Sequence, residues 1–262
     1  MKYWIPAVVA VLGLFVSSCG ESQVERLIQK ANDEWVKGRN HSAVELFKSV
    51  LEKYPSGPHA EEALFRLGEI YHFGLSDSSQ AIVYFMEALQ LSRRGRFSYE
   101  AQRYIADIVE FTLKDYDQAI IENQKLINEF GHPEDDPERQ FRIASIYFKK
   151  QNYEQSIVEL EILLEKYPDS EWAEEGEFRI MEVLFTLNRC DDAKPHFEHF
   201  LKSYSKSKYM HEMDFVRASC LEEEGKLEEA LRVFQSLSGQ YRYPALVAMK
   251  IEGIEKRIRK VR

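Results

Sequence analysis

The side chains best suited to chemistry are two histidines three apart. They lie in Lys194-Pro195-His196-Phe197-Glu198-His199 and flank a glutamate. On a helix this spacing puts both imidazoles on one face, where they could hold zinc. Zinc takes three or four protein ligands, however, and no third stands nearby, so the pattern predicts surface or groove histidines. The acidic run Pro133-Glu134-Asp135-Asp136-Pro137-Glu138 lacks the spaced ligands and the glycine of a calcium loop. Its carboxylates suit the positive end of a helix dipole, which predicts a helix start. There is no H-E-x-x-H, G-x-S-x-G, Walker-type glycine loop or C-x-x-C. The expectation is a non-enzyme with no catalytic residues, cofactor or metal. The rival from another class is a hydrolase with an unusual site, and its sign would be a cleft where buried histidines and carboxylates converge.

The elements that must position these residues are helices. Across residues 140–168, Ile143, Ala144 and Tyr147 mark one helical face, and Ser156, Leu160, Leu163 and Leu164 mark a second. A polar break at Lys149–Asn152 separates the two, and Pro168, with no backbone donor, ends the unit. The unit recurs. Small residues stand at Ala43, Ala81, Ala119, Ser156, Ala193 and Ala230, spaced 38, 38, 37, 37 and 37. Four residues after each come Phe47, Phe85, Asn123, Leu160, Phe197 and Phe234. Twelve or thirteen before each come Ala31, Gly68, Ala106, Ala144, Met181 and Ala218. A fixed period of this length is the mark of a solenoid.

This pattern resembles the tetratricopeptide repeat (TPR) family, with the unit lengthened by three or four residues as in some bacterial envelope proteins. The resemblance implies an all-α solenoid of six helix–turn–helix units over residues 24–244. Residues 245–262 then read as a capping helix. Its apolar stripe is Val247, Ile251, Ile254 and Ile258, and its basic end is Lys256, Arg257, Arg259 and Lys260. Tyr54-Pro55-Ser56-Gly57-Pro58-His59-Ala60 also resembles the first repeat junction of the BamD lipoproteins of the outer-membrane β-barrel assembly machinery. Phe130-Gly131-His132-Pro133 echoes their second junction one repeat late.

At the start, Met1-Lys2, the apolar run Trp4 to Val16 and a small-residue ending read as a signal peptide over residues 1–18. Val16-Ser17-Ser18-Cys19 resembles the bacterial lipobox. That implies acylation of Cys19, palmitate included, with residues 19–23 as a short linker and multiple acyl chains as a stable anchor. Gly20 after the cysteine favours the outer membrane, periplasmic face. The formal net charge is −9, or −10 once residues 1–18 and their single Lys are removed, which excludes general nucleic-acid binding. Cys190 falls in the turn of unit five and Cys220 in the first helix of unit six. They form either a disulfide between neighbouring repeats, which the periplasm permits, or two separate thiols.

In the TPR family the first helix of each unit lines the concave face. The resemblance therefore assigns the groove to Phe65, Arg66, Arg103, Tyr104, Phe141, Arg142, Phe148, Phe178, Arg179, Phe185 and Phe215. An aromatic and a guanidinium then stand together on four consecutive repeats, a combination found at binding hot spots. The alternative is that the rings pack between helices while the arginines pair with Glu62, Glu69, Glu138, Glu175 or Glu182. The family's clamp for a C-terminal carboxylate is missing, since only Asn32 matches among Ile28, Asn32, Arg66, Glu100 and Tyr104. The expected function is a lipid-anchored scaffold that binds protein partners in an envelope complex. A BamD-like role is the alternative.

Overall fold

The computed structural model describes residues 23–261, which form thirteen helices and no strand. They divide into two compact units, one ending at Phe130 and one beginning at Gly131. The first unit holds α1 (23–36), α2 (Asn40–Lys53), α3 (Pro58–Glu69), α4 (Ser78–Leu91), α5 (Ser98–Asp107) and α6 (Tyr116–Lys125). The second holds α7 (Asp136–Lys149), α8 (Tyr153–Lys166), α9 (Glu171–Thr186) and α10 (Cys190–Ser203). It continues with α11 (Met210–Glu223), α12 (Leu227–Ser236) and α13 (Pro244–Val261).

Each helix pair closes on the small residues. Ala31, Ala106, Ala144 and Ala218 on first helices, and Ala43, Ala81, Ala119, Ser156, Ala193 and Ala230 on second helices, are all buried. Where a polar residue takes one of these places, it is bonded locally. The Ser156 hydroxyl donates to the Ala144 carbonyl at 2.9 Å, and the Asn123 amide donates to the Ala119 carbonyl at 2.9 Å. Both satisfy a buried group that would otherwise be destabilising.

The variation between twelve and thirteen residues has a structural cause. The longer interval occurs in the second and third repeats, where α3 and α5 run on as π turns over Ile70–Gly74 and Ile108–Leu113. In four repeats the turn is closed by an N–H bonding the carbonyl five residues back: Arg39 to Glu34, Asn152 to Tyr147, Arg189 to Leu184 and Lys226 to Leu221. In the two longer ones it reaches six back, Asp77 to Tyr71 and Asp115 to Val109. One extra residue is thus absorbed as a π bulge, a feature frequent at functional sites.

Just before each second helix, the chain enters the left-handed region once per repeat, at Gly38, Ser76, Lys114, Gln151, Asn188 and Gly225. The side chains of Asp77, Asp115 and Asn152 then accept from the backbone N–H of Gln80, Gln118 and Gln155, capping α4, α6 and α8. Beyond the pairs, a ring on each of several first helices stacks on an aromatic leading into the next. Phe65 meets Phe97 at 4.7 Å in the first unit. In the second, Phe141 meets Trp172 at 4.9 Å, Phe178 meets Tyr209 at 4.6 Å, and Phe215 meets Tyr241 at 4.8 Å. The capping helix α13 buries Val247 and Ile254 against Ala218, Ala230 and Phe234.

Candidate functional site

Each Phe–Arg pair divides between interior and surface. Phe65, Phe141 and Phe178 are buried in the aromatic stacks that join successive repeats, while the neighbouring arginines keep part of their surface and pair along their own helices. Arg66 holds Glu69 at 2.6 Å, Arg103 holds Glu100 at 2.8 Å and Arg142 holds Glu138 at 2.7 Å. Arg179 bridges Glu182 at 2.7 Å and Glu175 at 3.1 Å. The Arg66 and Arg179 guanidinium groups also stand over the Phe65 and Phe178 rings.

The most exposed large apolar side chains of the first unit lie two turns further along the first helices. Val36, Phe73 and Phe111 are 87%, 59% and 54% exposed and stand 37 and 38 residues apart, at one place in three successive repeats. Phe73 and Phe111 ride on the π turns that extend α3 and α5. The Phe73 ring packs edge-on against Tyr104 at 5.6 Å and against His72 at 4.5 Å. Tyr104 reaches back to Glu69 at 3.4 Å. Burial is the largest influence on the acid–base groups of this patch. It pushes the Glu69 carboxyl and the Tyr104 phenol up and the His72 imidazole down, favouring the uncharged form of each. The patch is therefore an aromatic ledge with guanidinium groups at its side.

The second unit offers a depression of about 230 Å³ between α7, α8 and α9. Phe141, Ala144, Phe148, Leu160, Arg179 and Val183 are among the residues that line it. Phe148 is exposed at its mouth, and Phe185 and Phe215 are each half-buried. Of the sequence-predicted residues, the fold brings Phe141, Phe148 and Arg179 together here and joins Tyr104 to the ledge in the first unit.

The two histidines found a partner that the sequence did not suggest. Glu177 on α9 is almost wholly buried and accepts from both imidazoles, from His196 at 3.0 Å and from His199 at 2.7 Å. The same two places hold Gln102 with Glu122 and Gln140 with Glu159 in the preceding repeats, each pair hydrogen-bonded. That recurrence, at the repeat period, was the available signal. Ser203 lies 3.2 Å from the other nitrogen of His199, which completes a Ser–His–Glu relay. Acyl transfer also needs N–H donors where the oxyanion develops. Ser203 ends α10, where the free backbone groups are carbonyl acceptors. Among the described residues no cluster of three His, Cys, Asp or Glu is arranged to hold a metal.

Cys190 and Cys220 are joined, with Sγ–Sγ 2.12 Å and Cα–Cα 5.4 Å. Cys190 is the first residue of α10 and not a turn residue, because Arg189 takes the cap position. Cys19 and the signal segment lie outside the described residues.

Comparison with known proteins agrees with this geometry. The tetratricopeptide repeat profile matches residues 28–92, and a profile described as the TT21 fifth ARM repeats domain matches residues 138–249. The fold is a tetratricopeptide-type helical solenoid. It is similar to a tetratricopeptide repeat protein from Parabacteroides merdae, at 19% identity and TM-score 0.52 over 90% of this chain and 93% of that one. It is also similar to a chain of the Naa15/Naa10 complex bound to HypK-THB. There identity is 15% and TM-score 0.65, over 97% of this chain but 37% of that one. A third likeness is to YrrB, a TPR protein with an unusual peptide-binding site, at 14% identity and TM-score 0.53 over 79% and 99% of the two chains. Comparison with curated proteins returns no match.

Proposed function

We propose that this chain is a non-enzymatic lipoprotein scaffold, acylated at Cys19 and held at the periplasmic face of the outer membrane, where it binds a protein partner of an envelope complex. The observation that carries the binding role is the row Val36, Phe73 and Phe111. Three apolar side chains recur at one place in successive repeats and are exposed at each. Packing explains why Phe65, Phe141 and Phe178 recur, because those rings are buried. It does not explain exposure at this place, and the Phe73 ring makes a continuous aromatic patch with His72 and Tyr104, the kind of surface that marks an interaction site. Arg66 and Arg103 stand beside the same ledge and can fork onto carboxylates or peptide carbonyls. The lipobox-like Val16-Ser17-Ser18-Cys19 supports the anchor, and the Cys190–Cys220 bridge agrees with a compartment that permits disulfides.

The test is photocrosslinking in cells from positions 73, 111 and 148, with positions 87 and 124 on second helices as controls. The expected result is a discrete protein adduct from the first set and none from the second. Adducts only from the second set would overturn the reading. Cys19→Ala is expected to abolish metabolic labelling by an alkyne-tagged palmitate and to release the chain from the membrane fraction.

A further inference from the structure

The last repeat is joined to the rest of its unit in an unusual way. Within residues 131–262, α10 and α11 touch less than any other two consecutive helices. Phe197 and Phe200 of α10 share a buried cluster with Met213 and Val216 of α11 and with Phe178 and Met181 of α9. A pocket of about 320 Å³ lies between the two helices, walled by Met181, Phe197, Leu201 and Leu221. Besides the contact of Cys190 Sγ with Glu223 at 3.5 Å, three links cross the joint beside this pocket. One is the Cys190–Cys220 bridge, whose residues line the pocket. The second is Lys194–Glu224 at 3.0 Å, and the third is the Arg217 guanidinium 4.7 Å from the Phe197 ring centre. The second and third involve solvent-exposed cations, and such contacts hold helices weakly.

The far half of α11 carries the last two helices of the chain. Ala218 belongs to the core made with Ala230, Phe234, Leu237, Val247 and Ile254, so α12 and α13 move with that half. The loosest joint of the unit is therefore the one closed covalently.

We propose that the Cys190–Cys220 bridge is a redox-set latch that determines whether the last repeat, α11 to α13, is docked on α9 and α10. A dithiol reductant supplies the change. Its two thiols become a disulfide, the Sγ–Sγ bond breaks, and Cys190 and Cys220 each take a hydrogen as thiols. Beside the pocket the joint is then held by weak polar links, and its remaining hold is the Phe200–Met213–Val216 cluster. The pocket opens to water along α11, while the helix pairs on either side keep their own cores. The latch concerns the last repeat alone and stands apart from the aromatic ledge of the proposed binding role.

Hydrogen exchange read by mass spectrometry tests this on the full chain in three states: oxidised, reduced with dithiothreitol after folding, and Cys190→Ser/Cys220→Ser. With the bridge cut, protection over residues 210–261 is expected to fall about tenfold or more while residues 136–186 keep theirs. Reoxidation is expected to restore it. Unchanged protection over 210–261 would overturn the latch. So would an equal fall across 136–186, because the bridge would then be only a general staple. If the double variant fails to fold, the reduced and reoxidised wild-type chain decides the question.

Discussion

A methyl group added at Gly68 would stand 2.5 Å from the Phe85 ring, inside the closest approach that packed carbon atoms tolerate. Gly68→Ala should therefore cost about 1–3 kcal/mol, as overpacking of a close helix crossing does, and appear as a lower urea midpoint at unchanged slope. Tyr84 makes the second prediction at this scale. Burial, with Tyr71 next in effect, pushes its phenol up from 10.0 to about 12. A folded-state value above the unfolded one means that the native chain holds the proton longer. The stabilisation is complete below pH 10 and is lost as pH rises from 10 towards 12. Absorbance titration of tyrosinate should show Tyr84 ionising last, and Tyr84→Phe should remove part of the alkaline loss of stability. An early titration of Tyr84 would contradict its packing against Tyr71. Single residues were partly legible in the sequence. The small residues at the crossings could be read directly, since burial and period coincide. The partnership of Glu177 with His196 and His199 could not, because it depends on the rotation of α9 against α10.

At the scale of the element, the turn before each second helix repeats one backbone conformation with unlike residues. Gly38 and Gly225 adopt positive φ readily, whereas Ser76, Lys114, Gln151 and Asn188 adopt it against the steric preference of an L-residue. Lys114→Gly and Gln151→Gly should each stabilise the chain by about 0.5–1 kcal/mol, the relieved backbone strain outweighing glycine's extra freedom when unfolded. Thermal melts of both variants should move upward, and a downward shift would show that the lost side chains mattered more. The π turns that extend α3 and α5 were visible in advance as a thirteen-residue interval where other repeats have twelve. The interval cannot say whether the extra residue widens a helix or lengthens a loop. The six-back bonds from Asp77 and Asp115 answer that, and they place Phe73 and Phe111 on the widened turns.

At the scale of the whole molecule, the cross-link matters most for the unit that contains it. Cys190 and Cys220 are 30 residues apart, and closing a loop of that size stabilises the folded state by about 3–4 kcal/mol through the unfolded chain. Cys190→Ser/Cys220→Ser should lower the stability of the last repeat, residues 210–261, by an amount of that order, measured by hydrogen exchange under oxidising conditions. A loss below about 1 kcal/mol would mean that the joint is already rigid. The groove residues show how far sequence reading reaches at this scale. The repeat register places Phe65, Phe141 and Phe178 on first helices, but the same position serves a ligand surface or an interior stack. Neighbouring aromatics at Phe97, Trp172 and Tyr209 direct these rings inward.

The sequence by itself determined the helix–turn–helix repeat, its period, the residues at each close crossing and the capping helix. All of these follow from local spacing, and every repeat must satisfy the same packing rule. Only the tertiary structure decided which recurring aromatics face water, that one buried carboxylate serves two histidines, and that the two cysteines meet. Those outcomes depend on how far each helix is rotated against its partner and on the angle and register at which one pair lies on the next, which the spacing of apolar residues does not encode.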